Sequence, residues 1–138
     1  MRIKVKLDPG AFVPESAHTA DAGYDIRTPY NVTINKGDSA KIDTGVHIAI
    51  PQGYVGFLKS KSGLNVKFGI TGEGVIDSGY TGSIVVKLYN NSCSTKHFYR
   101  GDKIIQIVFL PIFKPALEIV EQLDDTERGT KGFGSSGR

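Results

Sequence analysis

The chain of 138 residues has one cysteine, Cys93, no run of lysine and arginine, and no apolar run near the roughly 20 residues that a bilayer crossing needs. Each shortage excludes something. A lone cysteine cannot close an internal disulfide, which fits a reducing compartment, and a small buried thiol is the simplest role for it. Without a basic run there is no footprint for direct nucleic-acid binding, and the formal net charge of +3 fits an anionic ligand without demanding one. The N-terminus, MRIKVKLDPG, alternates charge with aliphatics where a secreted chain would show a continuous apolar stretch and a cleavage site. That points to a soluble cytoplasmic protein with no membrane partner, in a host cell's cytoplasm if the source is viral. Histidines 18, 47 and 97 lack metal-ligand spacing and read as structural or surface groups.

What the chain does have is 17 glycines and 6 prolines among many Val, Ile, Thr and Tyr, the composition of short strands joined by tight turns. Arg2, Lys4 and Lys6 alternate with Ile3, Val5 and Leu7, which predicts a strand with one buried face and an edge discouraged from pairing. The two-residue period recurs at 30–34, 40–42, 46–50, 54–58, 83–90, 103–110 and 117–121. Strands this short, with turns every 8 to 12 residues and no βαβ alternation, predict an all-β, jelly-roll-like barrel or sandwich. In KSGLNVKFGI, Ser62 is suited to an N-cap and Leu64 and Phe68 share a face, so one very short helix is expected. The core should span residues 1–125. Residues 126–138 carry too little apolar surface to offset their own ordering entropy and should form a flexible C-terminal arm.

Five stretches bear polar groups that can act on a ligand. SKSG (60–63) joins a hydroxyl and a glycine to a helix start flanked by Lys59 and Lys61; it is an anion site or a plain cap. GVIDSGYTGSIVVKLYN (74–90) reads as a hairpin presenting Asp77 and Tyr80 at its mouth, either to a flat hydrogen-bonding ligand or merely to solvent. Gln106 shares a strand face with Ile104, Val108 and Leu110, and must join an internal network or face a polar ligand. Asp21 and Asp25 flank a glycine turn and can serve a hydrated metal or only the turn. The tail RGTKGFGSSGR has a phosphate-cradling composition around one stacking ring, without the ending or following helix of a Walker loop.

Taken in order, DAGYD, KSGL, GVIDSGY, GDKIIQI and RGTKGFGSSG resemble the five ordered motifs of the trimeric dUTPases, over residues 21–137. The resemblance implies a jelly-roll homotrimer whose three sites are each assembled from three subunits, with the arm closing over a neighbour's site. It implies hydrolysis of dUTP to dUMP and pyrophosphate with Mg2+, which limits uracil in DNA and supplies dUMP for dTMP synthesis. By position, Asp77 corresponds to the general base, and Tyr80 to the ring that packs on deoxyribose. The backbone of Gly74, Val75 and Ile76, across to Val85, corresponds to the reader of the uracil edge. Lys61, Ser62, Gly63 and Gln106 correspond to holders of phosphate oxygens, and Asp25 to a carboxylate that fixes magnesium through water. From the arm, Phe133 would stack on uracil, while Arg128, Gly134, Ser135 and Ser136 would clasp the terminal phosphates.

The chain departs from the family pattern at five places. Lys61 and Lys103 stand where arginine is usual, Gly79 where an acidic residue is frequent, Thr81 in place of an arginine, and Ser136 where threonine is common. Two rival readings remain: a dCTP deaminase-like enzyme of related fold, for which no matching glutamate is found, and a dUTP-sensing protein that binds a regulatory protein partner.

Overall fold

The computed structural model describes residues 1–137 and builds them into eleven strands and one short helix. In chain order the strands are β1 (Lys4–Leu7), β2 (Tyr24–Arg27), β3 (Val32–Ile34), β4 (Ser39–Asp43), β5 (Val46–Ala49) and β6 (Tyr54–Lys59). The helix α1 (Ser62–Phe68) follows, then β7 (Ile70–Thr71), β8 (Glu73–Ile76), β9 (Val85–Asn90), β10 (Lys96–Phe98) and β11 (Lys103–Pro111). They form a four-stranded sheet β2-β11-β6-β8, a three-stranded sheet β4-β9-β7, and the pairs β1-β5 and β10-β3. Every pairing is antiparallel. Among the described residues no pair joins consecutive strands, so the chain winds between sheets instead of folding back in hairpins.

All four sheets contribute to one core. Ile26, Leu58, Ile105 and Ile107 come from the four-stranded sheet, Ile42, Ile70, Val86 and Leu88 from the three-stranded one, Val46 and Ile48 from β5, and Ile34 and Phe98 from the β3-β10 pair. Their β-branched or bulky side chains fit a pleated surface closed on both sides, which is why so many short strands hold together without hairpins.

The winding corrects several expectations. Strands β8 and β9 lie in different sheets, so residues 74–90 are a crossing between sheets and not a hairpin. Asp25 sits within β2, paired with Gln106, and is no turn residue. A register shift between Lys103 and Ile105 breaks the strict two-residue period of β11, so Ile104 and Ile105 are both buried and Ile104 is not grouped with Gln106. Lys61, with extended backbone, holds the N-cap position without a side-chain bond, and Ser62 is the first helical residue. Cys93 is exposed. The apolar face of β1 is open in the single chain and lines a groove of about 400 Å³ with Val13, Tyr24, Ile48 and Phe109.

The change after β11 is abrupt. Ile112 donates to the Gly53 carbonyl, the predicted strand at 117–121 does not form, and every residue from 112 to 137 is exposed.

Candidate active site

A row of polar residues crosses the four-stranded sheet in register: Asp25 on β2 opposite Gln106 on β11, opposite Lys59 on β6, opposite Glu73 on β8. Paired residues point to the same face, so one pleat line collects two carboxylates, an amide and an ammonium. Beyond Lys59 the chain turns into α1, and Ser60 fixes that turn. Its hydroxyl donates to the Gly72 carbonyl at 3.1 Å and accepts from the Gly72 N–H at 3.0 Å. The SKSG stretch is thereby held beside Asp25 and Gln106.

At this end the structure closes a polar cavity of about 340 Å³, lined by Asp21, Gly23, Asp25, Lys61, Ser62, Gly63, Lys103 and Gln106. Asp25 is its hub. Its carboxylate takes the Lys61 ammonium on one oxygen and the Lys103 ammonium on the other, the latter at 2.8 Å. Burial pushes the Asp25 carboxyl upward, but the hydrogen bonds and charges of Lys103 and Lys61 outweigh it and hold the group below its ordinary value. Gln106 donates its amide to the Ser60 carbonyl at 3.2 Å. Gly23 makes that placement possible, because a Cβ there would stand 2.9 Å from the Gln106 side-chain oxygen. The Ser62 hydroxyl makes no hydrogen bond among the described residues, so it and the first N–H groups of α1 remain as donors.

Such a set suits an anion with several oxygens: two ammoniums, a hydroxyl, an amide and backbone N–H groups around one carboxylate. Among the described residues no group of three metal-ligating side chains exists. Two lining carboxylates, Asp21 and Asp25, fit a cation that keeps its water shell and takes phosphate oxygens, as magnesium prefers, and not an all-protein cage. Sequence reasoning treated Lys103 only as a substitution for arginine and passed over Gly23. The register of β2 with β11 makes both cavity residues, and a single sequence does not show that register.

The other candidates lie elsewhere. Strand β8 carries Gly74, Val75 and Ile76 with Val75 turned outward, and Asp77 opens the loop that follows. Gly79 has φ +85, a left-handed turn that an acidic side chain would strain, which gives a local reason for glycine here. The Tyr80 hydroxyl donates to the Ser83 carbonyl at 2.9 Å, and Tyr80 and Val85 are both exposed. Asp77 is four residues beyond Glu73 and three strands from Asp25, so at about 3.4 Å per residue and 4.8 Å per strand the two clusters stand roughly 20 Å apart.

Arg128, Phe133, Gly134, Ser135 and Ser136 form a third group with no hydrogen bond to either cluster among the described residues. Among the described residues, the hydrogen bonds of 126–137 run within that segment, such as Arg128 Nε to the Lys131 carbonyl at 3.0 Å, and Phe133 is fully exposed. Arg138, the last residue of the expected arm, lies outside the described residues.

Comparison with known proteins shows what the chain is similar to. A family model described as dUTPase matches residues 11–137. The deoxyuridine 5'-triphosphate nucleotidohydrolase of Rhodococcus erythropolis is 43% identical over 136 residues, covering 96% of this chain and 83% of the relative. That of Mus musculus is 41% identical over 135 residues, covering 97% and 83%. The dUTPase of Staphylococcus bacteriophage 80alpha with dUPNHPP, one of the phage dUTPases described as controlling transfer of virulence genes, matches with a TM-score of 0.93 at 34% identity over 99% of each chain. A variant dUTPase from phage phi11 of S. aureus, described as coordinating a structural Mg(II) ion, has a TM-score of 0.84 at 31% identity, over 91% of this chain and 100% of that one. A family model over residues 11–137 and relatives above 40% identity along nearly the whole chain show that it belongs to the dUTPase family, the dUTP diphosphatases.

Proposed function

We propose that the chain hydrolyses dUTP to dUMP and pyrophosphate as a homotrimer, each site drawing on three subunits, with Mg2+ on the substrate. The observation that carries this reading is the cavity in which Lys61, Lys103, Ser62, Gly63 and Gln106 surround Asp25, built apart from the loop that holds Asp77. A water oxygen bonds to the α-phosphorus, the bond from that phosphorus to the bridging oxygen of pyrophosphate breaks, and Asp77 takes the water's proton. A base must lie within hydrogen-bond reach of that water, and in one chain Asp77 is far from the cavity, so a neighbouring subunit has to supply it.

Phosphate oxygens compete with Asp25 for the Lys61 and Lys103 ammoniums, and their transfer frees the Asp25 carboxylate, which would then help hold a hydrated magnesium ion. When bound, magnesium would supply charge neutralisation of the phosphates. Gly74, Val75 and Ile76 on β8, with Val85, read the uracil edge by backbone groups, and Tyr80 packs on deoxyribose. A buried edge rejects the wrong base strongly because it leaves groups unpaired.

Assembly is supported by what the single chain leaves open. Phe113, Leu117, Ile119 and Leu123 are each more than 80% exposed, the face of β1 lines an open apolar groove, and exposed apolar surface of this kind marks an interface. We divide the chain into a core of residues 1–125 and an arm of 126–138. The arm orders over a neighbour's site when Arg128, Gly134, Ser135 and Ser136 gain phosphates and Phe133 gains a base to cover. A second reading, a nucleotide-dependent contact with a regulatory protein, draws on the role described for the 80alpha relative.

The test is pyrophosphate release from dUTP, dTTP, dCTP and UTP by the native chain and by Asp77→Asn, with ammonia followed for dCTP. The expected result is turnover of dUTP alone, lowered roughly 10²- to 10⁴-fold in the variant. Equal turnover of UTP, ammonia from dCTP, or an unaffected variant would overturn it.

A further inference from the structure

We propose that His47 is a positioning residue for the Asp77–Ser83 loop: as an imidazolium it donates from both ring nitrogens, to the Thr81 carbonyl and the Asp8 carboxylate, and losing that proton slackens the loop and weakens substrate binding. Nδ1 stands 2.7 Å from the Thr81 carbonyl oxygen and Nε2 stands 3.0 Å from an Asp8 carboxylate oxygen. Both partners are acceptors only. A neutral imidazole has one N–H, so it satisfies one of them and turns a lone pair on the other; only the cation serves both.

The loop gives this contact its weight. Within residues 77–82 the only other hydrogen bonds among the described residues are internal or to the adjoining Ser83: the Tyr80 N–H to the Asp77 carbonyl at 3.3 Å and the Tyr80 hydroxyl to the Ser83 carbonyl. The His47 bond is thus the one tie from the tip of the loop to another strand, and it falls on the residue after Tyr80. Ties to the body resume only at Ser83, whose hydroxyl bonds Asp43, and at Ile84, whose N–H donates to the Val46 carbonyl at 2.9 Å. Asp77 is held from the β8 side. Slackening therefore acts on Tyr80 first and on Asp77 second.

The charges facing His47 come from three elements. From β1 and its end, Asp8 attracts the cation while Lys6, opposite His47 in register, and Lys4 in the same recess repel it. From the end of β4, Asp43 attracts it. The loop itself bears no charge beyond Asp77. The hydrogen bond to Asp8, then that to the Thr81 carbonyl, raise the His47 pKa above its ordinary value of 6.5, against burial and Lys6. A raised value means the brace is complete below about pH 6.5 and is lost as pH climbs through the folded-state pKa.

The experiment uses the full chain with His47→Asn, whose amide keeps a donor for Thr81 at any pH, and His47→Gln, whose longer amide reaches toward Asp8 alone. Three readouts are followed from pH 5 to 9: the ring nitrogens by proton–nitrogen spectroscopy, amide exchange of residues 78–83, and the KM for dUTP. Native protein should show both ring nitrogens protonated at pH 5 and keep the second proton to higher pH than a free imidazole. As they titrate, loop exchange should quicken and KM rise severalfold with kcat nearly constant. The Asn variant should hold a flat KM, and the Gln variant should resemble alkaline native protein throughout. A ring that loses its second proton no later than a free imidazole, or a Gln variant with native loop exchange, would overturn the proposal; should a variant not fold, the native titration decides alone. The KM readout rests on the dUTP reading, whereas ring and exchange do not: if those two behave as stated and dUTP is not turned over, that reading fails and the brace stands.

Discussion

Strand β11 and the segment that follows it are neighbours in sequence and opposites in structure. Residues 103–111 lie between β2 and β6, bury Ile104, Ile105 and Ile107 to about 1% exposure or less, and carry Gln106 to the cavity wall. Residues 112–137 are exposed throughout. The first region owes its order to its own chain; the second has apolar residues up to 123 and polar and glycine residues beyond, and among the described residues neither set is buried. On the proposed reading, one chain supplies a stable scaffold and the pieces of a site, and the completed site belongs to the trimer.

The comparison breaks most visibly at the arm. Deleting residues 126–138 should leave a folded trimer by scattering and circular dichroism while dUTP turnover falls by about two orders of magnitude or more, because a lid that orients the triphosphate contributes on that scale. Near-native turnover would make the arm a mere tail. In the scaffold, Ile107→Ala removes a fully buried side chain and should cost about 2–5 kcal/mol in denaturant unfolding. The same change at Ile119, which is 99% exposed, should leave the unfolding of the isolated subunit unaltered and weaken only assembly. Between the regions stands the cavity. If Lys61 holds phosphate as proposed, Lys61→Gln removes one charge-assisted contact, worth about 1.5–3 kcal/mol, and kcat/KM should fall about 10- to 150-fold with stability little changed. The smallest effect concerns Asp25. Its carboxyl is held below the ordinary 3.8, so its ion pairs stabilise the fold above that pH and are lost as pH falls through the folded value. Melting temperatures of native protein and Asp25→Asn should differ at pH 6 and converge below pH 3.8.

Much of this was legible in the sequence because strand periodicity is local. The β-rich class, most strands, the short helix and the motif residues were read without a structure. What was missed depends on pairing. Alternation alone could not show that β8 and β9 belong to different sheets, nor that a shift after Lys103 turns both Ile104 and Ile105 inward. Asp25 looked like a turn residue because the strand YDIR is four residues long and follows a glycine. The predicted strand at 117–121 has the right pattern but joins no sheet edge in its own chain, and a strand without a partner leaves its backbone groups to water. His47 carried no motif at all; its two acceptors lie 39 residues upstream and 34 downstream.

On the proposed reading, Asp77 and the arm serving it at one site come from different subunits. Co-refolding Asp77→Asn with the chain truncated after residue 125, each inactive alone, tests it directly. Random mixing should restore about a quarter of native dUTP turnover, since a site then needs an intact loop from one chain and an intact arm from another. If mixed trimers form and turnover stays at the level of the two parents, loop and arm act within one subunit, and the account of a divided site is wrong.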